Sequence, residues 1–189
     1  MLKIWVILLL LIFTLACKQE KTASDDHPPL VQNKPVNEDA LVLRLSADLI
    51  PTPQTLEQQE QNAIVNYAID QLLDVKSTAS GLYYQMIAPG TGDSIRWADR
   101  LAVHYRGFFL DGTEFDASYK RGQAIEFYVG NMIPGWNEGL QLLKPGGKAL
   151  FLIPSRLGYG EKGLTDGKGK VLVPPNSILA FELEVVQKL

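Results

Sequence analysis

The sequence predicts an α+β fold, a twisted antiparallel β-sheet with one short helix across its concave face, preceded by a helical extension and a polar tether. Three observations carry this reading. From Gly81 to the C-terminus, short alternating apolar segments are separated by turn residues. Within that region a single stretch, Trp136, Leu140 and Leu143, repeats its apolar residues at helical spacing. Upstream of Gly81 no such succession of strands and turns occurs, so the sheet belongs to one C-terminal domain.

The chain has 189 residues, a net charge of −3 and a pI near 5.4. That length suits one domain plus accessories, and the acidic balance argues against a nucleic-acid partner. The first segment, "MLKIWVILLLLIFTLAC", has a basic Lys3, an apolar run from Ile4 to Phe13 and a small Ala16 before Cys17. The run is too short to span a bilayer comfortably, and residues 1–16 read as an export signal. Cys17 is the only cysteine, which excludes an internal disulfide, a zinc cluster or a cysteine redox pair. Its place directly after the apolar run resembles the lipobox of bacterial lipoproteins, with Thr14 where that motif usually has Leu. The resemblance implies lipidation at Cys17, a membrane partner through that anchor, and a site in the bacterial cell envelope, on the periplasmic or surface face of the outer membrane. The alternative is an ordinary export signal with an incidental cysteine.

Residues 17–39 are polar, charged and interrupted by Pro28, Pro29 and Pro35, a composition that buries too little apolar surface to fold and reads as a tether. An extension follows over residues 40–80. Ala40 to Leu45, "ALVLRL", is apolar enough for a short strand or a docking segment. After Pro51 and Pro53, Thr55 and Gln58 form a capping-box pair. Leu56, Ala63, Ile64, Tyr67, Ala68 and Leu72 then mark one face of a helix reaching about Asp74, which docks on the domain's own surface or forms a dimer contact.

Residues 81–189 form the sheet domain of about 110 residues. "GLYYQMIAPGTG" is a strand ending in a turn. Leu101, Val103, Tyr105, Gly107 and Phe109 alternate on one face of the next strand, which turns at Asp111–Gly112 into a hairpin. Ile125, Phe127 and Val129 share one face of "AIEFYVG". Pro134 and Gly135 open the short helix, and Lys144-Pro145-Gly146-Gly147 closes it. Two turns are too few for a stable isolated helix, so its stripe must be buried against the sheet. "KALFLIP" and a closing strand with Leu179, Phe181, Leu183 and Val185 facing inward complete the domain.

The segments "VHYRGFFLDGTEFDAS", "IPGWNEGLQLLKPGGKALFLIPSRLGYG" and "VPPNSILAFELEVV", in this order and spacing, resemble an FKBP-type peptidyl-prolyl cis-trans isomerase domain. The resemblance implies a sheet half-wrapped around the short helix, with an active pocket between them and Trp136 as its floor. It implies a catalytic set of Asp116, Tyr159 and Trp136, with substrate-binding positions at Tyr105, Phe115, Ile125, Phe127, Met132, Ile133, Val173 and Phe181. Arg121 stands as a polar partner of Asp116, and the Ile133 N–H as a donor to a substrate carbonyl. Ile125 departs from the aromatic that many members carry there.

The same resemblance implies partners that are proline-containing unfolded or exported polypeptides, and a pocket that binds macrolides such as tacrolimus. No cofactor and no metal is implied. His27 lies in the tether and His104 faces away from Tyr105 on its strand, a placement that makes no metal site. A module that binds prolyl segments with little turnover, as a chaperone or scaffold, uses the same walls and is the competing reading. Between Tyr159–Gly160 and Pro174–Pro175, a segment with Gly163, Gly167, Gly169, Lys162, Lys168 and Lys170 reads as a mobile, locally basic loop.

Overall fold

Alternation along each strand places one set of side chains on each face of a twisted sheet, and here both faces are covered. The computed structural model describes residues 37–189. Cys17, the export signal and nearly all of the expected tether lie outside them. The main sheet has seven strands: β1 (Lys76–Ser77), β2 (Tyr83–Ala88), β3 (Arg100–Phe108), β4 (Glu114–Ala117), β5 (Ile125–Tyr128), β6 (Lys148–Ile153) and β9 (Leu179–Lys188). Their order is β1-β2-β6-β9-β3-β4, every pairing is antiparallel, and β5 pairs with β3 on the same edge as β4. The first half of β3 carries β5, with Leu101 opposite Phe127, and its second half carries β4, with Gly107 opposite Asp116.

The expected short helix is α3 (Pro134–Gly139), continued by a 3₁₀ turn over Leu140–Leu142. Pro134 at its first position needs no N–H partner and presets the helical φ. Trp136, Leu140 and Leu143 are buried among Leu101, Val103, Tyr105, Phe151, Phe181 and Leu183 from the sheet. The helix lies unusually close to the sheet. A Cβ on Gly139 would sit 2.6 Å from Phe151 Cε2 and Cζ, so only glycine permits this approach.

The opposite face of the sheet is covered by α1 (Glu38–Ser46) and α2 (Leu56–Asp70). Ala40–Leu45, expected as a short strand or a docking segment, is helical and docks on the sheet through Leu41 and Leu45, and its helix begins at Glu38, before the expected boundary of the extension. The reason is local and tertiary together. Asn37 caps the Ala40 N–H at 3.1 Å, Glu38 and Asp39 sit in the first turn, and Leu41 and Leu45, one turn apart, are both buried. In α2 the Thr55–Gln58 capping box is present. The helix stops at Asp70 rather than near Asp74, because Leu72 adopts a left-handed φ of 52°.

The extension docks on its own domain. Leu41, Leu45, Ile64, Val65 and Ala68 form a second core with Tyr83, Phe108, Leu150, Leu152 and Ala180 of the sheet. Leu56 is the one expected apolar-face residue left largely outside, and Glu60 turns inward in the same helix. The Glu60 carboxylate accepts the Ser155 N–H at 3.0 Å, which ties α2 to the end of β6.

Candidate active site

Trp136 enters the core because α3 starts there, under the open side of the sheet. It is 2 % exposed, and Tyr105 and Phe181 meet its indole edge-on, with ring centroids 5.1 Å away in each case. Phe115 in turn stands edge-on to Phe181 at 5.4 Å. Such T-shaped contacts suit the ring quadrupoles and hold each plane at a fixed angle. Above the indole is a cavity of about 530 Å³, lined by Tyr105, Phe115, Asp116, Asn131, Met132, Ile133, Trp136, Tyr159, Leu164, Leu172 and Phe181. That volume falls within the range of small-ligand sites.

Two polar groups of the cavity, Tyr105 and Asp116, form one network with Arg121. The Tyr105 hydroxyl donates to Asp116 Oδ2, Arg121 Nη1 donates to Asp116 Oδ1 at 2.6 Å, and Arg121 Nη2 donates to the Tyr105 oxygen at 2.7 Å. Burial alone would raise the Asp116 carboxyl, but the hydrogen bonds from Tyr105 and Arg121 outweigh it and hold the group below its ordinary range. Burial, followed by the bond to Asp116, pushes Tyr105 up to about 12. Burial, with the Asp116 charge, also raises Tyr159. Both phenols therefore remain protonated donors at neutral pH.

The rim before α3 is held from inside by Asn137. Its Oδ1 accepts from the Gly130 N–H at 2.8 Å and the Met132 N–H at 3.2 Å, and its Nδ2 donates to the Met132 carbonyl at 2.6 Å. The Ile133 carbonyl accepts from the Trp136 and Asn137 N–H groups. The Ile133 N–H itself meets no acceptor among the described residues.

Three of the expected wall positions are elsewhere. Phe127 packs against the indole at 5.7 Å and supports the floor without reaching the cavity, and Ile125 lies beside the same core on β5. Val173 is 1 % exposed, inside the core, and Leu172, pointing to the other side of its strand, takes the wall position. The expected mobile loop is instead a small hairpin, β7 (Leu164–Thr165) paired with β8 (Val171–Val173). Asp166 closes its turn, with Oδ1 accepting from the Lys168 and Lys170 N–H groups at 2.8 and 2.9 Å. Leu164, Leu172 and Asn131 were missing from the expected lining. Asp166 with Gly169 three residues on, which takes a left-handed φ of 83°, is the signal that points to the hairpin. His104 stacks on Tyr119 at 4.7 Å and meets Ser118 through Nδ1, away from the cavity.

Comparison with known proteins agrees with this architecture. The profile described as FKBP-type peptidyl-prolyl cis-trans isomerase matches residues 92–186. The chain is 48 % identical over 113 residues to a probable FKBP-type peptidyl-prolyl cis-trans isomerase of Haemophilus influenzae, covering 60 % of this chain and 45 % of that protein. It is 41 % identical over 112 residues to FkpA of Escherichia coli K12, covering 59 % of this chain and 39 % of FkpA. The chain thus spans less than half the length of these curated relatives. Among solved structures, Escherichia coli FkpA superposes with a TM-score of 0.61 at 34 % identity, over 79 % of this chain and 63 % of that one. A peptidyl-prolyl cis-trans isomerase from Pseudomonas syringae gives 0.58 at 30 % identity, over 72 % of this chain and 98 % of that one. A half-wrapped sheet, an indole-floored apolar cavity and a matching profile over half the chain place this protein in the FKBP-type peptidyl-prolyl cis-trans isomerase family.

Proposed function

We propose that the protein accelerates cis-trans rotation of Xaa-Pro bonds in polypeptides, with the proline ring seated on Trp136. The observation that carries this reading is the apolar cavity over the indole, walled by Tyr105, Phe115, Met132 and Phe181, with Tyr105 and Asp116 tied to Arg121 in one hydrogen-bonded network. The reaction forms and breaks no covalent bond. It crosses an amide-resonance barrier of about 18–20 kcal/mol, which without catalysis takes tens to hundreds of seconds. A twisted amide has lost conjugation and part of its charge separation. A dry apolar cavity that grips the ring therefore favours it over the planar, more polar ground state.

The polar groups then position the substrate. The protonated Tyr159 hydroxyl and the unpaired Ile133 N–H are donors for carbonyls flanking the proline. Asp116 orients Tyr105 and Arg121 and sets the local field near the twisting bond. The buried Trp136 Nε1–H, which finds no acceptor among the described residues, fits the same reading. Stability alone would favour an all-carbon ring at that place, whereas a wide flat floor calls for an indole.

The natural substrates in this reading are unfolded or exported polypeptides, and the pocket also accepts macrolides such as tacrolimus. Cys17 is the lipid attachment point, and the protein works at the cell envelope, a reading supported by the basic, short apolar segment that ends directly before Cys17. The alternative, a prolyl-binding module without turnover, is separated by one assay. Purified protein should accelerate isomerisation of a short Xaa-Pro peptide, and tacrolimus should block it. Binding of the peptide without acceleration would overturn the enzyme reading. For the anchor, Cys17→Ser should give unprocessed or soluble protein, and normal processing with membrane fractionation would refute it.

A further inference from the structure

The cavity does not end at its lining. The rim residue Asn131 follows Gly130, and the indole of Trp97 lies directly on Gly130. A Cβ there would stand 2.7 Å from Trp97 Cζ2 and 2.8 Å from Cε2, so the missing side chain is what seats the ring. Gly130 has a φ of 114°, which further excludes a side chain at this place. Trp97 nevertheless remains 64 % exposed. A tryptophan with most of its surface in water is uncommon in a folded domain.

The backbone that carries the indole is also fixed. Ala98, next in the chain, adopts a left-handed φ of 66°, a conformation that costs a non-glycine residue roughly 1–2 kcal/mol. The surroundings enforce it. The Ala98 N–H donates to the Val129 carbonyl, and the Val129 N–H donates to the Asp99 carbonyl, both at 2.9 Å. The Asp99 carboxylate accepts from the Arg96 N–H and from Lys188, both at 2.7 Å. A strained turn, held by Val129 after β5 and by Lys188 of β9, thus presents one large aromatic face to solvent over Gly130, the residue before the cavity rim. Strain of this kind persists where the rest of the fold over-determines it, and it concentrates at sites of function.

We propose that Trp97, seated on the Gly130–Asn131 rim, is a specificity-determining platform for an aromatic or large aliphatic side chain of the same polypeptide whose proline occupies the cavity. The proposal rests on the isomerase reading above and names the substrate class it favours, unfolded chains with a bulky apolar residue near the proline. Continuity of surface supports one shared occupant, because Asn131 and Met132 line the cavity and Gly130 carries the indole. Consecutive residues are about 3.8 Å apart, so the residue that carries the indole and the first lining residue of the cavity are one step apart along the rim. A pre-positioned ring loses little freedom on binding, so its contact adds to affinity with little entropic offset.

The test uses the full chain labelled with 5-fluorotryptophan, the Trp97 resonance being assigned with Trp97→Phe. The probes are seven-residue peptides with a central proline, otherwise alanine, and with one phenylalanine moved through each remaining position. At one or two positions phenylalanine should raise kcat/KM over the all-alanine peptide by roughly 2- to 12-fold, the range that aromatic pairing allows. Those peptides should shift the Trp97 fluorine resonance, and Trp97→Ala should reduce the phenylalanine-to-alanine preference to about one, with Trp97→Phe retaining part of it. A preference unchanged in Trp97→Ala, or a Trp97 resonance that no isomerised peptide moves, overturns the platform and leaves the isomerase reading intact. Trp97-dependent self-association without peptide selectivity assigns the surface to a second copy and overturns it equally. If no peptide in the series is isomerised, both readings fail together.

Discussion

Trp136 carries two requirements that one substitution separates. Leucine can cover Phe151 and the sheet, but it offers no flat surface for a proline ring. Trp136→Leu should keep the far-UV spectrum while lowering kcat/KM on a short Xaa-Pro peptide by roughly tenfold or more, about 1.4 kcal/mol per decade of transition-state stabilisation. Tyr159→Phe removes one donor and should cost less, about 0.5–1.5 kcal/mol. Wild-type rates in both variants would remove these residues from the site. The pH behaviour follows from the same groups. Asp116 is lowered, Tyr105 lies at about 12 and Tyr159 is raised, so none of the three titrates near neutrality. Isomerisation should therefore be flat between about pH 5 and 9, where a bell-shaped profile would demand a proton transfer. For stability the sign is fixed by Asp116. Its folded-state pKa lies below the ordinary 3.8, so its contribution is present above that value and is lost as pH falls through the folded pKa. In urea titrations the advantage of wild type over Asp116→Asn should hold from pH 7 to about 5 and shrink below about 4.

At the scale of elements, α3 and the β7–β8 hairpin act as floor support and wall. Gly139→Ala drives a methyl into Phe151, and overpacking of this sort costs about 1–3 kcal/mol. Because Trp136 rides on the same helix, the variant should lose activity along with melting temperature. The hairpin does more than the mobile, locally basic loop that its glycines and lysines suggest. Leu164 and Leu172 face the cavity, whereas Lys168 and Lys170 are exposed at the tip. Leu164→Ala should therefore slow both a tetrapeptide and a proline-limited refolding reaction. Replacing Lys168 and Lys170 by serine should affect only the protein substrate, and mostly at low salt, since exposed charges are screened within about 8–10 Å at physiological ionic strength. Equal effects of the lysine changes on both substrates would place their charges in the pocket's own field.

The described residues build a seven-stranded main sheet with a core on each face. In β6, Ala149, Phe151 and Ile153 enter the core under α3, while Leu150 and Leu152 enter the core under α1 and α2. The active-site layer and the extension thus share a strand and should unfold together. Ile64→Ala, at a fully buried position of α2, should cost about 2–5 kcal/mol. It should shift a single cooperative transition seen both by circular dichroism and by Trp136 fluorescence. Two separated transitions would show that the extension is an independent unit.

The sequence by itself determined what depends on neighbours along the chain. The Thr55–Gln58 box, the Asp111–Gly112 turn, the alternation of Leu179, Phe181, Leu183 and Val185, and the proline-glycine boundaries of α3 are local patterns with local causes. The aromatic positions and Asp116 were readable through their family resemblance, and the structure brings Tyr105, Phe115, Asp116, Trp136, Tyr159 and Phe181 around one cavity. Only tertiary structure decided which face each ambiguous segment would bury. Ala40–Leu45 becomes helix because the sheet's far face, with its continuous "ALFLI" run, needs a cover that Leu41 and Leu45 supply one turn apart. Val173 and Leu172 are equally apolar in sequence, and the pairing of β7 with β8 sends one to the core and the other to the cavity. Trp97 is the plainest case. Its setting depends on a glycine thirty-three positions away, on hydrogen bonds to Val129 and on the ion pair of Asp99 with Lys188, none of which a local pattern records.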